Sequence, residues 1–225
     1  MIRFENVCYA YDGVPVLRHA DFQIEKGEAI AISGPNGAGK STLLRMLNGL
    51  IYPEIGRYLY KGEEINAAKM WEHCYSKWFH QQVGYVWQNP DNQLFCGSVE
   101  EELAFGPEQM GLPGQEIEER VEDALSLFGI EKLRDRAPFT LSGGEKKKVA
   151  IASILTMNPS VWTLDEPLSA LDESSRHVLI DFLGALKAAG KTLIFSTHEP
   201  ELVQRFADKE IHIDEMHQLL VLGNL

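Results

Sequence analysis

Cysteines are scarce in this sequence, and basic residues are outnumbered. Among 225 residues the three cysteines, Cys8, Cys74 and Cys96, are widely spaced. An odd, scattered set is typical of reduced thiols in a cytoplasmic protein, not of a disulfide framework. The 33 acidic residues exceed the 21 basic ones and give a formal net charge of −12. This charge argues against a general nucleic-acid-binding surface and against attraction to acidic lipid headgroups.

Long apolar runs and a secretion signal are missing as well. The apolar runs are only a few residues long, whereas a membrane-spanning helix needs about 18 or more. The first residues, Met1 to Asn6, lack the basic-then-apolar layout of a signal peptide. We therefore expect a cytoplasmic protein without direct membrane insertion, which reaches a membrane only through a protein partner.

The most specific motif is a glycine-rich segment that fits the pattern G-x-x-x-x-G-K-[ST]. It follows the apolar stretch Ala29–Ile32 and precedes a helical pattern of leucines, which is the context this motif requires. Its backbone N–H groups and the following helix predict a cradle for the phosphates of a nucleoside triphosphate. Lys40 is expected to reach the β- and γ-phosphates, and the Ser41 hydroxyl to bind Mg²⁺. The nine residues are Gly34, Pro35, Asn36, Gly37, Ala38, Gly39, Lys40, Ser41 and Thr42.

Two acidic residues follow a second apolar strand, Val161–Leu164. Asp165, at the strand end, is expected to hold Mg²⁺ directly or through water. Glu166 is one residue further on and faces the other way, so it is expected to polarise an attacking water. A strand-ending Asp-Glu pair is a weak signal alone, but the phosphate-binding segment makes it a strong one.

A third motif precedes the helical run 146–155. Ser142 is expected to cap that helix, and the neighbouring glycines allow its N-terminus to approach an anion closely. Alone, the motif predicts only a capped helix. Its order and spacing between the other two motifs resemble an ATP-binding cassette (ABC) ATPase, whose signature motif it matches. Its residues are Leu141, Ser142, Gly143, Gly144 and Glu145.

Further motifs match the same family. Gln88 resembles the Q-loop glutamine, which contacts Mg²⁺ and senses the membrane subunit. His198 matches the switch histidine that contacts the γ-phosphate. Tyr11 is similar to the aromatic residue that stacks on adenine, and Tyr9 is a weaker candidate for that role. The D-loop, which crosses the dimer interface in the family, resembles Ser169, Ala170, Leu171 and Asp172.

The resemblance covers residues 2 to about 215 and implies an α/β fold of the P-loop NTPase type. We expect a mostly parallel core sheet, an N-terminal antiparallel β subdomain and an inserted α-helical subdomain, all in one ABC ATPase domain over residues 1–225. The catalytic core is expected at about 1–90 and 159–225, and the helical signature subdomain at about 91–158. Strands that alternate with helices independently favour a parallel sheet with its ligand at the carboxyl ends of the strands.

The family resemblance also implies a mechanism. Two cassettes pair head to tail, and each supplies its signature motif to the ATP held by the other. ATP with Mg²⁺ then holds the two cassettes together, and its hydrolysis, assisted by Glu166 and His198, lets them separate. We expect an ATPase that powers transport through a transmembrane partner contacting the Q-loop region. Its place is then peripheral, on the inner face of the cell membrane. Whether the working dimer contains two identical or two different cassettes stays open.

The residues Gln88–Phe95 are similar to the Q-loop region of energy-coupling-factor importers, which suggests import of a metal ion or a vitamin. Leu94 and Phe95 either contact a cytoplasmic helix of the membrane partner or close the core of the helical subdomain. A cassette of another ABC transporter group is an alternative, as is a DNA-maintenance or translation ATPase. The short span between Ser41 and Leu141 leaves no room for the coiled coil of the DNA-maintenance class, and translation factors normally carry two cassettes.

An unusually aromatic stretch lies between Ala67 and Gln82. Trp71, Tyr75, Trp78 and Phe79 recur at the spacing of one stripe along a helix. This pattern favours a helix packed on the sheet, and a docking face for a partner is the alternative.

Overall fold

The computed structural model describes residues 1–169 and 171–223. Ala170 of the predicted D-loop lies outside them. The described residues contain two sheets. Their strands are β1 (Ile2–Tyr11), β2 (Val14–Ile24), β3 (Ala29–Ser33), β4 (Ile55–Tyr60), β5 (Glu63–Glu64), β6 (Val83–Val86), β7 (Val161–Leu164), β8 (Thr192–Ser196), β9 (Lys209–Ile213) and β10 (Leu219–Gly223).

The helices connect these strands and cover both faces of the larger sheet. Among the described residues, none of them has the length and apolar composition needed to cross a bilayer. They are α1 (Lys40–Leu47), α2 (Ala67–Trp71), α3 (His73–Gln82), α4 (Val99–Met110), α5 (Gly114–Phe128), α6 (Gly143–Met157), α7 (Glu173–Ala188) and α8 (Pro200–Phe206).

The larger sheet has the strand order β10-β9-β3-β8-β7-β6. Its strands run parallel from β9 to β6, and only β10 is antiparallel to its neighbour. The smaller sheet, β2-β1-β4-β5, is antiparallel throughout. Helices α4, α5 and α6 are inserted between β6 and β7. The predicted fold class is confirmed: a mostly parallel core sheet, an N-terminal antiparallel sheet and a helical insertion.

Capping residues mark two helix ends in the inserted subdomain. Ser142 caps α6, and its side chain and that of Glu145 form a reciprocal capping box. Gly129 ends α5 in the left-handed region, at φ 61°, where a residue without Cβ is favoured. The cap predicted for α6 at Ser142 is thus confirmed.

The two faces of the larger sheet carry separate apolar layers. One layer joins α4, α5 and α6 to Trp162 and Phe195 of the sheet. The other joins the antiparallel sheet and α1 to residues such as Ile30 and Ile194. Successive strand residues point to opposite faces, so every central strand is buried on both sides. The inserted helices thus share a core with the sheet.

The aromatic stretch differs from its prediction. Glu72 adopts an extended conformation with ψ 109° and divides the stretch into α2 and α3. Because of this break, Trp71 leaves the predicted stripe and is 91% exposed. Phe79 is buried, and Tyr75 and Trp78 pack against the same core layer. The single-stripe prediction is therefore wrong for Trp71, whereas the other three aromatics pack as expected on the sheet side.

Candidate functional site

A cavity of about 340 Å³ lies at the carboxyl edge of the larger sheet. Loops that leave different strands converge there, as expected for an α/β sheet. Eleven of the fourteen residues predicted to bind ATP and Mg²⁺ or to act in catalysis border it, and Val16 does so in addition. The lining residues are Tyr11, Val16, Asn36, Gly37, Gly39, Lys40, Ser41, Thr42, Gln88, Asp165, Glu166 and His198.

The remaining members of the glycine-rich segment form the wall behind this cavity. A Cβ on Gly34 would lie 2.2 Å from the carbonyl oxygen of Ile213, and its φ is 137°. Only glycine fits that position without displacing β9. Ala38 is buried, and the carbonyl oxygens of Gly34 and Pro35 accept hydrogen bonds from Lys40 Nζ at 2.9 and 3.1 Å. These three residues shape the loop and fix the lysine.

The ammonium group of Lys40 lies close to His198 and to the two carboxylates of the site. Its Nζ lies 3.1 Å from Nε2 of His198. Burial lowers the pKa of Lys40, and the nearby carboxylates of Glu166 and Asp165 oppose this effect. These two carboxylates therefore favour the charged form that a phosphate would attract.

Asp165 is buried and oriented by residues from both neighbouring strands. Its Oδ1 accepts a hydrogen bond from Ser196 Oγ at 2.7 Å, and Tyr85 donates to Oδ2 at 3.4 Å. Burial, with a further contribution from Asp165, raises the pKa of Tyr85, so the phenol stays protonated as a donor. Ser196 Oγ also accepts the backbone N–H of Glu166 at 2.8 Å. Sequence reasoning missed both supporting residues.

Glu166 has an unusual backbone and a largely buried carboxylate. Its φ is 46°, a conformation that costs free energy in a non-glycine residue and is often found at functional sites. Its Oε1 lies 3.2 Å from His198 Nε2, in a geometry that is not a hydrogen bond, and has no hydrogen-bond partner among the described residues. Burial raises the pKa of Glu166, while His198 and Lys40 counteract that rise. A raised pKa makes the carboxylate a stronger base.

The oxygen donors of the cavity suit a small, hard cation. The Ser41 hydroxyl, the Gln88 side-chain carbonyl and the Asp165 carboxylate all belong to residues that border the cavity. Mg²⁺ prefers oxygen ligands and commonly uses one or two carboxylates together with substrate phosphates. The residues therefore fit the predicted Mg²⁺ site.

The two tyrosines at the end of β1 occupy different positions. Tyr11 borders the cavity and is 38% exposed. Tyr9 packs edge-on against it, with ring centroids 5.0 Å apart and an angle of 87° between the rings, and contacts the core layer. This arrangement leaves Tyr11 as the better candidate for stacking on a base.

The predicted signature motif is not part of this cavity. Among the described residues that line it, none belongs to 141–145. Leu141 is buried, whereas Ser142 and Gly143 are exposed at the N-terminus of α6. A helix N-terminus attracts anions. Within one chain, that anion is not the ligand of the cavity.

The described part of the D-loop is anchored to its own chain. Ser169 Oγ donates to the carbonyl oxygen of Glu166 at 2.8 Å, and Leu171 packs against the core. Asp172 caps α7, since its Oδ1 accepts the Ser175 N–H at 2.8 Å. The segment is thus fixed directly after Glu166.

The sequence of the chain matches a known family over most of this site. The profile described as ABC transporter covers residues 17–169. The chain belongs to this family. It is an ATP-binding cassette, an ATPase coupled to transport.

Relatives and solved structures of this cassette agree with the assignment. The nickel import ATP-binding protein LarO of Lactiplantibacillus plantarum is 42% identical over 219 residues, covering 97% of this chain and 91% of LarO. The structure of cbiO1 from Clostridium perfringens, part of the ABC transporter complex cbiONQ, has a TM-score of 0.83 and 37% identity, covering 99% of this chain and 88% of cbiO1. The cassette MJ0796, solved as a dimer bound to ADP and Pi, has a TM-score of 0.88 and 25% identity, covering 99% of this chain and 98% of MJ0796.

Proposed function

We propose that the 340 Å³ cavity is the catalytic ATP site and that its residues have the roles predicted for the family. Tyr11 stacks on adenine, residues 34–42 hold the phosphates, and Lys40 binds the β- and γ-phosphates. Ser41, Gln88 and Asp165 hold Mg²⁺, which offsets phosphate charge when bound. The observation that carries the proposal is the convergence of a lysine, two carboxylates and a histidine on one cavity.

The carboxylate of Glu166 is the proposed base for the attacking water. Its raised pKa, caused by burial, favours acceptance of a proton. His198 lies between Lys40 and Glu166, 3.1 Å from one and 3.2 Å from the other. From this position it would contact the γ-phosphate.

The working unit is proposed to be a head-to-tail pair of cassettes. Residues 141–145 would contact the ATP held by the partner cassette, and residues 169–172 would lie at the interface. The exposed N-terminus of α6 supports this arrangement, as does the dimer formed by MJ0796. The catalytic core is proposed to comprise residues of about 1–90 and 159–225, and the signature subdomain residues of about 91–158.

The membrane partner is proposed to dock near the Q-loop. Leu94 packs against the core, whereas Phe95 is 67% exposed and stacks edge-on with Phe105 at 4.9 Å. The two alternatives for this pair therefore divide, with Leu94 in the core and Phe95 available to a partner. We place the cassette on the inner face of the cell membrane.

The cargo is proposed to be a metal ion such as nickel or cobalt, or a vitamin, imported by an energy-coupling-factor type complex. The similarity to LarO, a nickel import protein, and to cbiO1 supports this class. Substrate selectivity belongs to the partner subunits, so co-purification from gently solubilised membranes is the test. Recovery of a polytopic scaffold with a small membrane-embedded binding subunit is expected, and recovery of soluble partners alone would contradict the proposal.

The catalytic assignment is tested with Glu166→Gln, which keeps the shape of the side chain and removes the base. We expect retained ATP binding, hydrolysis lowered by about 10³-fold, and a dimer that forms only with Mg-ATP in light scattering. Glu118→Gln, an exposed change on α5, is the matched control and should behave as wild type. Wild-type hydrolysis by the Glu166 variant would refute the assignment.

A further inference from the structure

A lysine is buried close to the ATP cavity without bordering it. Lys147, the fifth residue of α6, is 2% exposed. Lysine is almost never buried to this degree without partners. Burial lowers its pKa to about 8, although the carboxylates of Asp165 and Glu166 favour the charged form. A group that is this costly to bury calls for a specific role.

The partners of Lys147 are backbone carbonyl groups. Its Nζ donates to the carbonyl oxygens of Trp87 at 3.0 Å and Gln88 at 3.1 Å, and the carbonyl oxygen of Asp165 lies at 3.5 Å. An ammonium group has three N–H donors and no acceptor. Three carbonyl groups from two strand ends therefore use its whole donor capacity.

These carbonyl groups belong to the segments that carry the proposed Mg²⁺ ligands. Val86 of β6 pairs with Leu164 of β7, and the N–H of Asp165 donates to the Val86 carbonyl at 2.9 Å. The chain leaves both strands directly after this pair. Lys147 consequently holds the backbone where the Gln88 and Asp165 side chains depart toward the cavity.

A second contact ties the same turn to α6. The Gln93 side chain accepts the N–H of Trp87 at 3.2 Å and donates to the carbonyl oxygen of Ala150 at 2.7 Å. Lys147 and Ala150 are three residues apart and thus on one face of α6. One side of α6 therefore holds the turn after β6 in two ways. Lys147 binds its carbonyl groups directly, and Gln93 links the N–H of Trp87 to Ala150.

We propose that Lys147 is a positioning residue for ATP hydrolysis. It fixes Gln88 and Asp165 relative to each other and to α6, the helix that presents residues 142–145 to the partner cassette. The inference rests on the proposed roles of Gln88 and Asp165. It predicts that loss of the ammonium group misplaces the ligands of Mg²⁺ while the pocket for the nucleotide persists.

The test is Lys147→Met in the full chain, a change that keeps the length and apolar stem of the side chain. We expect kcat for ATP to fall by about 10- to 100-fold, as for residues that orient metal ligands, while KM for ATP changes less than about twofold. Affinity for Mn²⁺, measured by electron paramagnetic resonance with a non-hydrolysable ATP analogue, is expected to weaken about tenfold.

Lys191→Met is the matched control. Lys191 also donates to backbone carbonyl groups, those of Asn158 at 3.3 Å and Pro159 at 2.9 Å. These lie before β7, at the opposite edge of the sheet from the cavity. We expect this variant to lose thermal stability and to keep kcat and Mn²⁺ affinity.

Lys147→Gln retains two N–H donors and provides a second measurement if the methionine variant fails to fold. An intermediate kcat with unchanged KM supports the positioning role. Folded Lys147 variants with wild-type kcat and Mn²⁺ affinity would overturn it. Equal losses of kcat and Mn²⁺ affinity in Lys147→Met and Lys191→Met would overturn it as well. A wild-type chain without ATPase activity would instead refute the proposed catalytic site, so the two failures are distinguishable.

Discussion

The two segments directed at phosphate differ in how far their own chain surrounds them. Residues 34–42 border or support a cavity that also contains two carboxylates and His198. Residues 141–145 stand at the N-terminus of α6, where Ser142 and Gly143 are exposed. The first segment is one side of a nearly complete site, whereas the second presents its donors at an exposed helix end. One chain thus supplies two unlike halves of a phosphate site.

Charge differs between the two segments in the same way. The first has a cation, Lys40, next to its loop. The second contains an anion, the carboxylate of Glu145. This carboxylate accepts hydrogen bonds from the N–H and the hydroxyl of Ser142, each at 2.8 Å. These contacts lower the pKa of Glu145. The signature segment therefore holds its own carboxylate close to the place proposed for a partner's phosphate.

The largest expected effect concerns residues 34–42, the complete half of the phosphate site, which borders a cavity in its own chain. Lys40→Met removes the ammonium group that is fixed by the Gly34 and Pro35 carbonyl groups. We expect kcat/KM for ATP to fall by about 10³-fold, since a preorganised charge is lost from a largely buried site. Steady-state hydrolysis and binding of a fluorescent ATP analogue measure the effect. Lys132→Met, far from the cavity in sequence and in the inserted subdomain, is the control, and a comparable loss there would contradict the assignment.

Residues 141–145, the incomplete half that has no phosphate ligand from its own chain's cavity, are tested with Gly143→Asp. A Cβ at Gly143 meets nothing within 4 Å, and an acidic residue suits the first turn of a helix. Folding should therefore persist, while repulsion of the partner's phosphate lowers hydrolysis by about 10²-fold. The change separates stability from activity because the same charge favours one and opposes the other.

Mixing the two variants sharpens the comparison. A pair that contains one Lys40→Met chain and one Gly143→Asp chain has one intact site, with the cavity from one chain and the signature from the other. Random pairing of equal amounts predicts recovery of about a quarter of the wild-type activity. Absence of recovery in a mixture whose dimers exchange would mean that the two segments act within one chain.

The complete half was also the easier one to predict. Lys40 and Asp165 belong to local patterns in which a strand, a loop and a helix follow each other, so short-range sequence defines their conformation. Ser196, Tyr85 and Lys147 gave no such signal. The contacts of Ser196 and Tyr85 with Asp165 depend on the register between β6, β7 and β8, which joins residues about 30 to 80 positions apart in the sequence. Those of Lys147 depend on how α6 packs against the ends of β6 and β7.

The incorrect prediction for Trp71 has a related cause. A helical stripe assumes one uninterrupted helix, and no proline or glycine marks the break at Glu72. Periodicity alone therefore joined α2 to α3. Where a helix end had a recognisable capping residue, as at Ser142, the prediction was confirmed.

A smaller effect is expected from removal of the anion at the signature segment. Glu145→Gln keeps a capping box, because glutamine also accepts the Ser142 N–H. Without the negative charge, the affinity of the Mg-ATP-dependent dimer should increase about two- to fivefold, measured by light scattering in the Glu166→Gln background. The increase should shrink at high salt, because exposed charges are screened. An unchanged dimer affinity would show that residue 145 does not face the partner's phosphate.

The smallest expected effect separates a cap from an interface at Asp172. Hydrogen bonds from the Ser175 N–H and from the Ser174 and Ser175 hydroxyls hold the pKa of this carboxyl at about 2, so it is ionised at neutral pH. Asp172→Ala removes the cap of α7 and should lower Tm by about 2 to 4 °C. Asp172→Asn keeps a good capping residue and should retain the wild-type Tm. If the asparagine variant forms the Mg-ATP-dependent dimer as well as wild type, the charge of Asp172 serves only its own helix. A weaker dimer at unchanged Tm would instead assign that charge to the contact between the two cassettes.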